Sequence, residues 1–479
     1  MFPRYRYLRL LHLLTAGMLF GGCAPDYPLL AGSHDNPAPD RLSFPLAAAG
    51  PHLLDHRGSV VTLIGDTPWS LAAQLDSAEV LHYLDVRARQ GFNAIMFNLI
   101  EHRYADGAPS NVFGEPPFNA VLPDGEEDLT AFNPSYWDHV EWIVEEASER
   151  GLACFLVPAY LGANFNSAGW SQALAANGPA GVVSYGDSLT RRFAPHENVI
   201  WVLGGDSGPI VREQDLREEV DALASSLRHA PPGALLTAHS RRQRSALDSY
   251  DAPWLDINTT YSDVDDGPER LLDDYVRSKS HPRGPLPSLW IEGDYENGPG
   301  ISEALVRAQM YWSLLSGARG HFYGAHPVWY FGASAASHFA DSERPPYDSW
   351  RSALDSDAAN DVIHLRWLMQ EVPLHDLRPD LEGELVVSPR PKGDSWIASA
   401  YATDRSVAVV YTPRRRTLTL DLTFFDGPSV RIRWISPRTG AQWDAGLHPA
   451  EGRVRLPPPD RGDWLLTLET EPSTRPGSE

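Results

Sequence analysis

The sequence is poor in basic residues. It contains 40 Lys and Arg but 63 Asp and Glu, which gives a net charge of −23 and a pI near 5.1. Because proteins bind nucleic acid by neutralising phosphates with Lys and Arg, this composition argues against a nucleic-acid partner. The 479 residues are nevertheless 42% hydrophobic, enough to bury a large core, and this length predicts two or more domains.

Several cofactor motifs are also missing. No GxGxxG follows a first strand, and no GxxxxGK[ST] loop is present to hold a phosphate. His239, His321 and His326 do not follow the spacing of a zinc signature such as HExxH. The sequence therefore predicts neither a cofactor nor a catalytic metal.

Cysteine is almost absent, since Cys23 and Cys154 are the only two. Cys23 ends a short apolar run that follows three arginines, a pattern typical of a secretory signal peptide. The residues before it resemble a bacterial lipoprotein cleavage box, in which the Cys is lipidated; an ordinary signal with an incidental Cys is the alternative. With Cys23 acylated, no disulfide remains and the fold depends on its core. We expect a signal peptide over 1–23, a tether over 24–43, and export to the bacterial cell envelope with a membrane anchor at Cys23.

Between about residues 50 and 330 the chain repeats a short apolar run, a turn-rich loop and an amphipathic helical stretch. The helix after the fifth run is unclear, and the fifth and sixth runs are unusually close. Such units fit a (β/α)8 TIM barrel of about 250 residues, with a doubly wound sheet as the alternative. Helical stretches are clearest at 77–90, 136–150 and 301–317. The eight apolar runs lie at 60–67, 92–98, 152–160, 198–206, 234–240, 254–261, 287–295 and 320–326.

Two carboxylates stand out in this pattern, Asp206 after the fourth apolar run and Glu292 after the seventh. In a barrel the C-terminal ends of the strands converge on the face that holds the active site. Each acid has a structural alternative, because Asp206 could cap the following segment and Glu292 could pair with an arginine at the rim. Paired carboxylates are what glycoside hydrolysis requires: one protonates the leaving oxygen, and the other attacks the anomeric carbon or activates a water.

Other polar and aromatic residues at the strand ends are predicted to bind substrate. Asp66 and Trp69 could bond a sugar hydroxyl and stack on its ring, or cap a strand and pack in the core. Asn98 and His102 could position the sugar, although a lone His is more often a satisfied core or surface group. The full set of predicted substrate-binding residues is Asp66, Trp69, Asn98, Tyr160, His239, Tyr261, Tyr323 and His326.

The pattern of apolar residues changes after a predicted catalytic domain over 44–375. Alternating apolar strands without helices predict an all-β sandwich-like domain over 383–472. Ile432 and Trp434 alternate there as an inward face should. We expect a structural domain that packs against the barrel, with ligand binding as the alternative.

Five ordered motifs resemble glycoside hydrolase family 140, the apiosidase-like family. They are GDTPWSL at 65–71, QGFNAIMFN at 90–98, NVIWVLGGD at 198–206, LWIEGDYEN at 289–297 and MYWSLLSGARGHFYGAHPVW at 310–329. The resemblance covers about residues 45–370 and extends to the collagen-binding-type β domain that follows. It implies a (β/α)8 barrel that acts on apiose in plant pectin, with Asp206 and Glu292 as the catalytic pair. The loop at 296–300 and the insertion at 114–125 depart from the family pattern.

The resulting expectation is an exo-acting glycoside hydrolase with a carbohydrate substrate from plant cell walls. A surface glycan-binding lipoprotein whose barrel has lost catalysis is the alternative. By analogy with barrel glycosidases that place acids after strands four and seven, Asp206 is expected to be the acid/base and Glu292 the nucleophile. That assignment requires carboxyl groups about 5–5.5 Å apart.

Overall fold

The computed structural model describes residues 27–30, 41–162, 169–211, 213–229, 231, 233–264, 267–332 and 349–471. Cys23, the predicted signal peptide and most of the predicted tether lie outside the described residues. Within these ranges, no helix combines the length and the apolar character needed to cross a bilayer.

Eight parallel strands form a nearly closed barrel, which confirms the predicted (β/α)8 fold. Their hydrogen-bonded order is β5-β4-β3-β2-β1-β8-β7-β6. Side chains that alternate along the strands, such as Met96, Phe155 and Ile200, fill the barrel interior. The strands are β1 (Leu63–Asp66), β2 (Ala94–Asn98), β3 (Ala153–Val157), β4 (Val199–Gly204), β5 (Leu235–His239), β6 (Asn258–Tyr261), β7 (Ser288–Glu292) and β8 (Gly320–Tyr323).

Helices cover the outside of the barrel and return the chain to the start of each strand. The first of them begins with a capping box at Asp76 and Glu79 and ends at Gly91, whose φ of 96° is strained for other residues. The main helices are α1 (Ser77–Gln90), α2 (Pro134–Glu149), α3 (Ser171–Phe193), α4 (Arg217–Leu227), α5 (Arg270–Lys279), α6 (Glu303–Leu315) and α7 (Val362–Glu371).

The barrel has a seam between β5 and β6, which are not hydrogen-bonded to each other; the two-residue strand Arg244–Ser245 pairs antiparallel with β6 on that side. Side chains close it: Thr237 Oγ1 donates to the Ile257 carbonyl at 2.8 Å, and Thr259 Oγ1 donates to the Ala238 carbonyl. Apart from that short strand, the helix Ala246–Ser249 is the only regular element among the described residues 240–257 between the two strands. This explains why the sequence shows no clear fifth helix and why the fifth and sixth apolar runs are so close.

The C-terminal domain is an antiparallel sandwich, as predicted. One sheet has the order β9-β10-β11-β16-β13-β14, and the pair β12-β15 covers one of its faces. Ile432 and Trp434 are fully buried on that face, which confirms that they point inward. The strands are β9 (Leu377–Pro379), β10 (Ala398–Ala402), β11 (Val407–Thr412), β12 (Leu418–Asp421), β13 (Ser429–Ile435), β14 (Gln442–Pro449), β15 (Arg453–Leu456) and β16 (Trp464–Glu471).

The opposite face of the large sheet packs on barrel helix α6. Tyr311 stacks on Tyr411 with ring centroids 5.0 Å apart, and the Trp312 indole donates to the Trp396 carbonyl at 3.0 Å. Trp396 and Tyr411 accordingly belong to the same hydrophobic core as the barrel helices. The sandwich therefore covers apolar barrel surface, in agreement with the expected structural domain.

A short piece of the predicted tether also lies against the sandwich. The Leu30 amide donates to the Gln442 carbonyl at 2.9 Å, and the Asp444 amide donates to the Pro28 carbonyl at 3.0 Å. Residues 27–30 thus cover part of the outer edge of β14.

Candidate active site

Three strand ends bring two carboxylates and one imidazole together. Glu292 is the last residue of β7, His239 is the last residue of β5, and Asp206 lies two residues beyond β4. His239 Nε2 lies 2.7 Å from Glu292 Oε2, and His239 Nδ1 lies 3.3 Å from Asp206 Oδ1. The buried His239 ring therefore bridges the two predicted catalytic acids, whereas the sequence analysis expected it to contact substrate.

Two glycines allow Asp206 to approach this group. Gly204 has a φ of 90°, and a Cβ at that position would lie 2.3 Å from the His239 carbonyl oxygen. A Cβ on Gly205 would lie 2.9 Å from the Leu161 amide nitrogen. Both positions exclude a side chain, so the glycine pair turns the chain closely past β5 and aims Asp206 at the centre.

Asp206 has a raised pKa, as a proton donor requires. Burial, and then the negative charge of Glu292, raise the pKa of Asp206 to about 7, although His239 and a hydrogen bond from Tyr160 act in the opposite direction. Burial alone would lower the pKa of His239, but its hydrogen bond to Glu292 and the nearby negative charges raise it. At neutral pH Asp206 can therefore both hold and release a proton.

Hydrogen bonds fix both oxygens of Glu292. Tyr295 donates its hydroxyl to Glu292 Oε1 at 2.8 Å, while His239 contacts Oε2. The Trp69 indole in turn donates to the Tyr295 hydroxyl oxygen at 2.6 Å. The carboxylate thus has a single orientation, set from two sides of the barrel mouth.

The acids open into a cavity of about 200 Å³ with mostly aromatic walls. This volume is below the roughly 300–1,000 Å³ of pockets for larger ligands, so it suits one sugar ring. Indole and phenol rings offer flat apolar faces of the kind that stack on sugars. The lining residues are Trp69, Asn98, Tyr104, Tyr160, Asp206, Glu292, Tyr295, His326 and Trp329.

Asn98 presents an unsatisfied polar atom to the cavity. Its side-chain nitrogen donates to Glu101 Oε2 at 3.2 Å, and its buried Oδ1 has no partner among the described residues. Glu101 also accepts from the Ser70 hydroxyl and from the backbone amides of residues 102–104. The buried Glu101 therefore holds the loop that carries Tyr104 and leaves the Asn98 oxygen available to a sugar hydroxyl.

The structure corrects two of the predicted substrate contacts. Asp66 does not line the cavity, because its Oδ2 accepts from Arg87 Nε at 2.6 Å and from the Tyr83 hydroxyl at 2.7 Å beneath the barrel mouth. Tyr323 is fully buried, and its hydroxyl donates to Glu296 Oε2 at 2.6 Å. Both residues form a polar layer under the site.

The other predicted residues, apart from His102, lie in or next to the cavity. Trp69, Asn98, Tyr160 and His326 line it together with the two acids. Tyr261 packs its ring on His239 at a centroid distance of 5.2 Å but does not line the cavity. The His102 ring packs against Trp170 at the edge of a different cavity.

The histidines do not form the metal cluster that the sequence analysis considered. Burial lowers the pKa of His321 to about 3 and that of His326 to about 4, so both rings are neutral. In the described part of the chain, the ligand atoms that come within 4.8 Å of one another at the barrel mouth belong to Asp206, His239 and Glu292. These three residues could hold a cation.

Sequence analysis missed three residues that line the cavity, Tyr104, Tyr295 and Trp329. Tyr295 and Trp329 belong to motifs that were recognised, but they lie in loops beyond the strand ends. An aromatic residue within a few positions of a strand end was the signal that could have found them.

Two family models match the chain, one over each domain. Residues 48–376 match the family described as "Apiosidase-like, catalytic domain", and residues 382–469 match the "Putative collagen-binding domain of a collagenase". The chain matches no curated protein.

Solved structures share the whole two-domain architecture. A glycoside hydrolase family 5 protein from Bacteroides vulgatus is 20% identical, with a TM-score of 0.73 over 90% of this chain and 93% of that chain. A structure described as a glycoside hydrolase is also 20% identical, with a TM-score of 0.72 over 91% of this chain and 100% of that chain. At this identity the likeness concerns the fold. The family match spans most of the chain, and we conclude that this protein belongs to the apiosidase-like family and is a glycoside hydrolase.

Proposed function

We propose that the protein is a retaining glycoside hydrolase in which Asp206 is the general acid/base and Glu292 is the nucleophile. The main support for this proposal is the short distance between the two acids. One carboxylate oxygen of Asp206 and one of Glu292 lie within 4.8 Å of each other. Retaining enzymes place their carboxyl groups about 5–5.5 Å apart, whereas inverting enzymes need roughly 6.5–9.5 Å to admit a water.

The environments of the two acids support this division of roles. Asp206 holds a proton near neutral pH because its pKa is raised to about 7. Glu292 is fixed by donors on both oxygens and faces the cavity. In the first step Glu292 attacks the anomeric carbon, the glycosidic bond breaks, and Asp206 gives its proton to the leaving oxygen.

The second step returns the enzyme to its starting state. Asp206, now a carboxylate, takes a proton from a water as that water attacks the anomeric carbon. The bond to Glu292 breaks, the sugar leaves with retained configuration, and Asp206 is again protonated.

The cavity supports an exo-acting enzyme. Its volume of about 200 Å³ and its walls, built from Tyr104, Tyr160 and Trp329, suit one terminal sugar. We propose plant cell-wall glycans as substrates, apiose-containing pectin side chains among them, because the matching family is described as apiosidase-like.

A panel of plant glycosides tests this function. We expect release of a single sugar, with the first product seen by NMR in the anomeric configuration of the substrate. Glu292→Gln should abolish release at unchanged folding, since the swap keeps the shape and removes the nucleophile. An inverted first product would overturn the nucleophile role, and glycan binding without any hydrolysis would favour the inactive glycan-binding alternative.

We also propose that the protein is exported and anchored to a membrane through a lipid on Cys23. The support is the sequence alone, an apolar run that ends in small residues before Cys23. Wild type should partition into detergent with membranes, and Cys23→Ser should release or mislocalise the protein. Recovery of wild type in the soluble fraction would contradict the anchor.

A further inference from the structure

The segment that follows Cys23 is bound to the sandwich. Tyr27 packs on the sandwich core, and its hydroxyl donates to the Pro457 carbonyl at 3.1 Å. Leu29 pairs with Trp443 at the edge of β14. Cys23, the proposed lipid attachment site, precedes Tyr27 by four residues, which span at most about 14 Å when fully extended. A lipid on Cys23 would therefore hold this edge of the sandwich close to the membrane.

The strand pair β12-β15 beside Tyr27 exposes arginines without an acidic partner. Arg455 lies on β15, two residues before the Pro457 contact. Arg415 and Arg416 lead into β12, at the end of that strand that lies opposite the end of β15. All three arginines are exposed, and none forms an ion pair with a carboxylate of the described residues. These three residues are called the arginine patch below.

The charge around the arginine patch differs from that of the whole chain. Residues 382–471 contain equal numbers of basic and acidic residues, although the chain has a net charge of −23. The acid on β12 and β15 is Asp421, and it pairs with Arg453 at 3.5 Å. Charges more than about 10 Å away are largely screened at 0.1 M salt. The patch can therefore approach an anionic surface that would repel the acidic barrel.

Apolar side chains are exposed beside the same contact. Leu29 exposes 63% of its surface and Leu30 exposes 38%, while backbone hydrogen bonds hold this segment on β14. Leucine side chains can enter the boundary between the headgroups and acyl chains of a bilayer, and arginines bind the headgroup phosphates. Exposed leucines next to unpaired arginines are thus suited to a membrane surface.

We infer that this edge of the sandwich, with the arginine patch and Leu29, lies on the surface of an anionic phospholipid bilayer. The inference rests on the proposed anchor at Cys23, which brings the edge to the membrane. The lipid would fix one point of the molecule, and the patch adds a second contact that sets its orientation. The sandwich then has a role beyond covering the barrel, because it is the domain that faces the membrane.

Vesicle sedimentation tests this surface without the lipid anchor. The protein is the chain from residue 24, which contains every described residue and lacks Cys23. The vesicles consist of phosphatidylcholine alone or of an equimolar mixture with phosphatidylglycerol. We expect binding to the anionic vesicles only, and weaker binding as salt is added. Arg416→Ala/Arg455→Ala should weaken this binding at least tenfold, since each basic residue near such a surface contributes about fivefold.

The matched control is Arg431→Ala/Arg433→Ala, which changes the net charge by the same amount. Both arginines pair with acids, and they alternate with the inward-facing Ile432 and Trp434, so they lie on the other face of the sheet. This control should bind as wild type does. Leu29→Ser should weaken binding without changing its salt dependence.

Three outcomes would overturn the inference. The first is a wild type without preference for anionic vesicles. The second is an equal loss of binding in the two double variants, which would mean that net charge alone decides. The third is tighter binding of soluble polygalacturonate than of the anionic vesicles, which would identify an acidic polysaccharide as the partner.

The location of wild type separates this inference from the proposed anchor. Membrane-bound wild type whose unanchored chain shows no preference for anionic vesicles would overturn the arginine patch alone. Soluble wild type whose unanchored chain prefers anionic vesicles would overturn the lipid on Cys23 and leave the patch in place. Hydrolysis of a soluble aryl glycoside should be unchanged in Arg416→Ala/Arg455→Ala, because the patch lies on the sandwich.

Discussion

The Tyr295 hydroxyl donates a hydrogen bond to Glu292, the predicted nucleophile, and accepts one from the Trp69 indole. This one oxygen atom therefore connects a residue of the cavity wall to the reacting carboxylate. Tyr295→Phe should lower kcat/KM by about 10- to 100-fold, because a hydrogen bond to a charged group contributes about 1.5–3 kcal/mol. Steady-state kinetics on the true substrate measure the effect. Tyr401→Phe in the sandwich is the control, and an equal loss there would contradict the role of Tyr295.

Asp206 should also set the pH dependence of the reaction. Its protonated form is the one that acts in the first step, and its pKa is about 7, so kcat/KM should fall as pH rises through about 7. Tyr160→Phe removes a hydrogen bond that favours the charged form, which raises the pKa of Asp206 further. The falling limb should therefore move to higher pH, and a shift to lower pH would contradict this electrostatic account.

The role of Asp206 as acid predicts selective rescue. Asp206→Ala should lose about 10²- to 10⁴-fold on poor leaving groups, the usual contribution of a general acid. Activated leaving groups, or added azide, should restore part of the rate because they need less proton donation. Glu292→Ala should not recover on activated leaving groups alone, and recovery there would mean that Glu292 is not the nucleophile.

At the scale of elements, the seam between β5 and β6 is the place where two neighbouring barrel strands are not joined by a backbone hydrogen-bond ladder. Thr237 and Thr259 each satisfy a carbonyl of the neighbouring strand with a side-chain hydroxyl. Thr237→Val or Thr259→Val should lower the free energy of unfolding by roughly 1–3 kcal/mol, the cost of an unsatisfied buried group. Urea unfolding checks this, with exposed Thr417→Val as the control that should change little.

The positions of the strands also explain which site residues could be predicted from the sequence. Glu292 and Asp206 were found because apolar periodicity locates strand ends, and barrel topology brings those ends together. Asp66 fitted the same rule and was misassigned, since its partner Arg87 reaches it from α1 as a fully buried cation. Long-range pairing of this kind leaves no periodic signal in the chain.

Loop conformation explains the remaining misses. Tyr104 depends on a loop that the buried Glu101 carboxylate organises through three backbone amides. Tyr295 depends on a hydrogen bond with Trp69, which is 226 residues away in the sequence. Neither contact follows from local propensity, so aromatic cavity walls became visible only with the tertiary structure.

At the scale of the molecule, one arginine joins the barrel to the sandwich. Arg307 on α6 is almost fully buried and makes two bonds to Asp463 beside β16, at 2.8 and 3.0 Å. It also pairs with Asp361 at the start of α7. Because α6 follows directly on the strand and loop that carry Glu292 and Tyr295, the sandwich stabilises the half of the barrel that contains the nucleophile.

Replacement of this arginine should destabilise both domains. Arg307→Leu leaves Asp361 without its cation and leaves Asp463 with Arg438 alone, at 3.5 Å, and breaking a buried pair in this way costs roughly 3–5 kcal/mol. Calorimetry should show a lower unfolding temperature and the separation of one transition into two. Arg433→Leu removes the partly exposed pair with Glu469 on the sandwich surface and should have little effect.

The destabilisation should depend on pH in a defined direction. Burial already raises the pKa of Asp361 to about 7, and Arg307 opposes this rise. Without Arg307 the folded-state pKa of Asp361 increases further, so the folded state binds a proton that the unfolded state releases. The folded state then loses stability as the pH rises from the ordinary pKa of a carboxyl group towards the raised folded-state pKa of Asp361. Arg307→Leu should therefore be closer to wild type at pH 5 than at pH 8, and a pH-independent loss would mean that packing, not charge, joins the two domains.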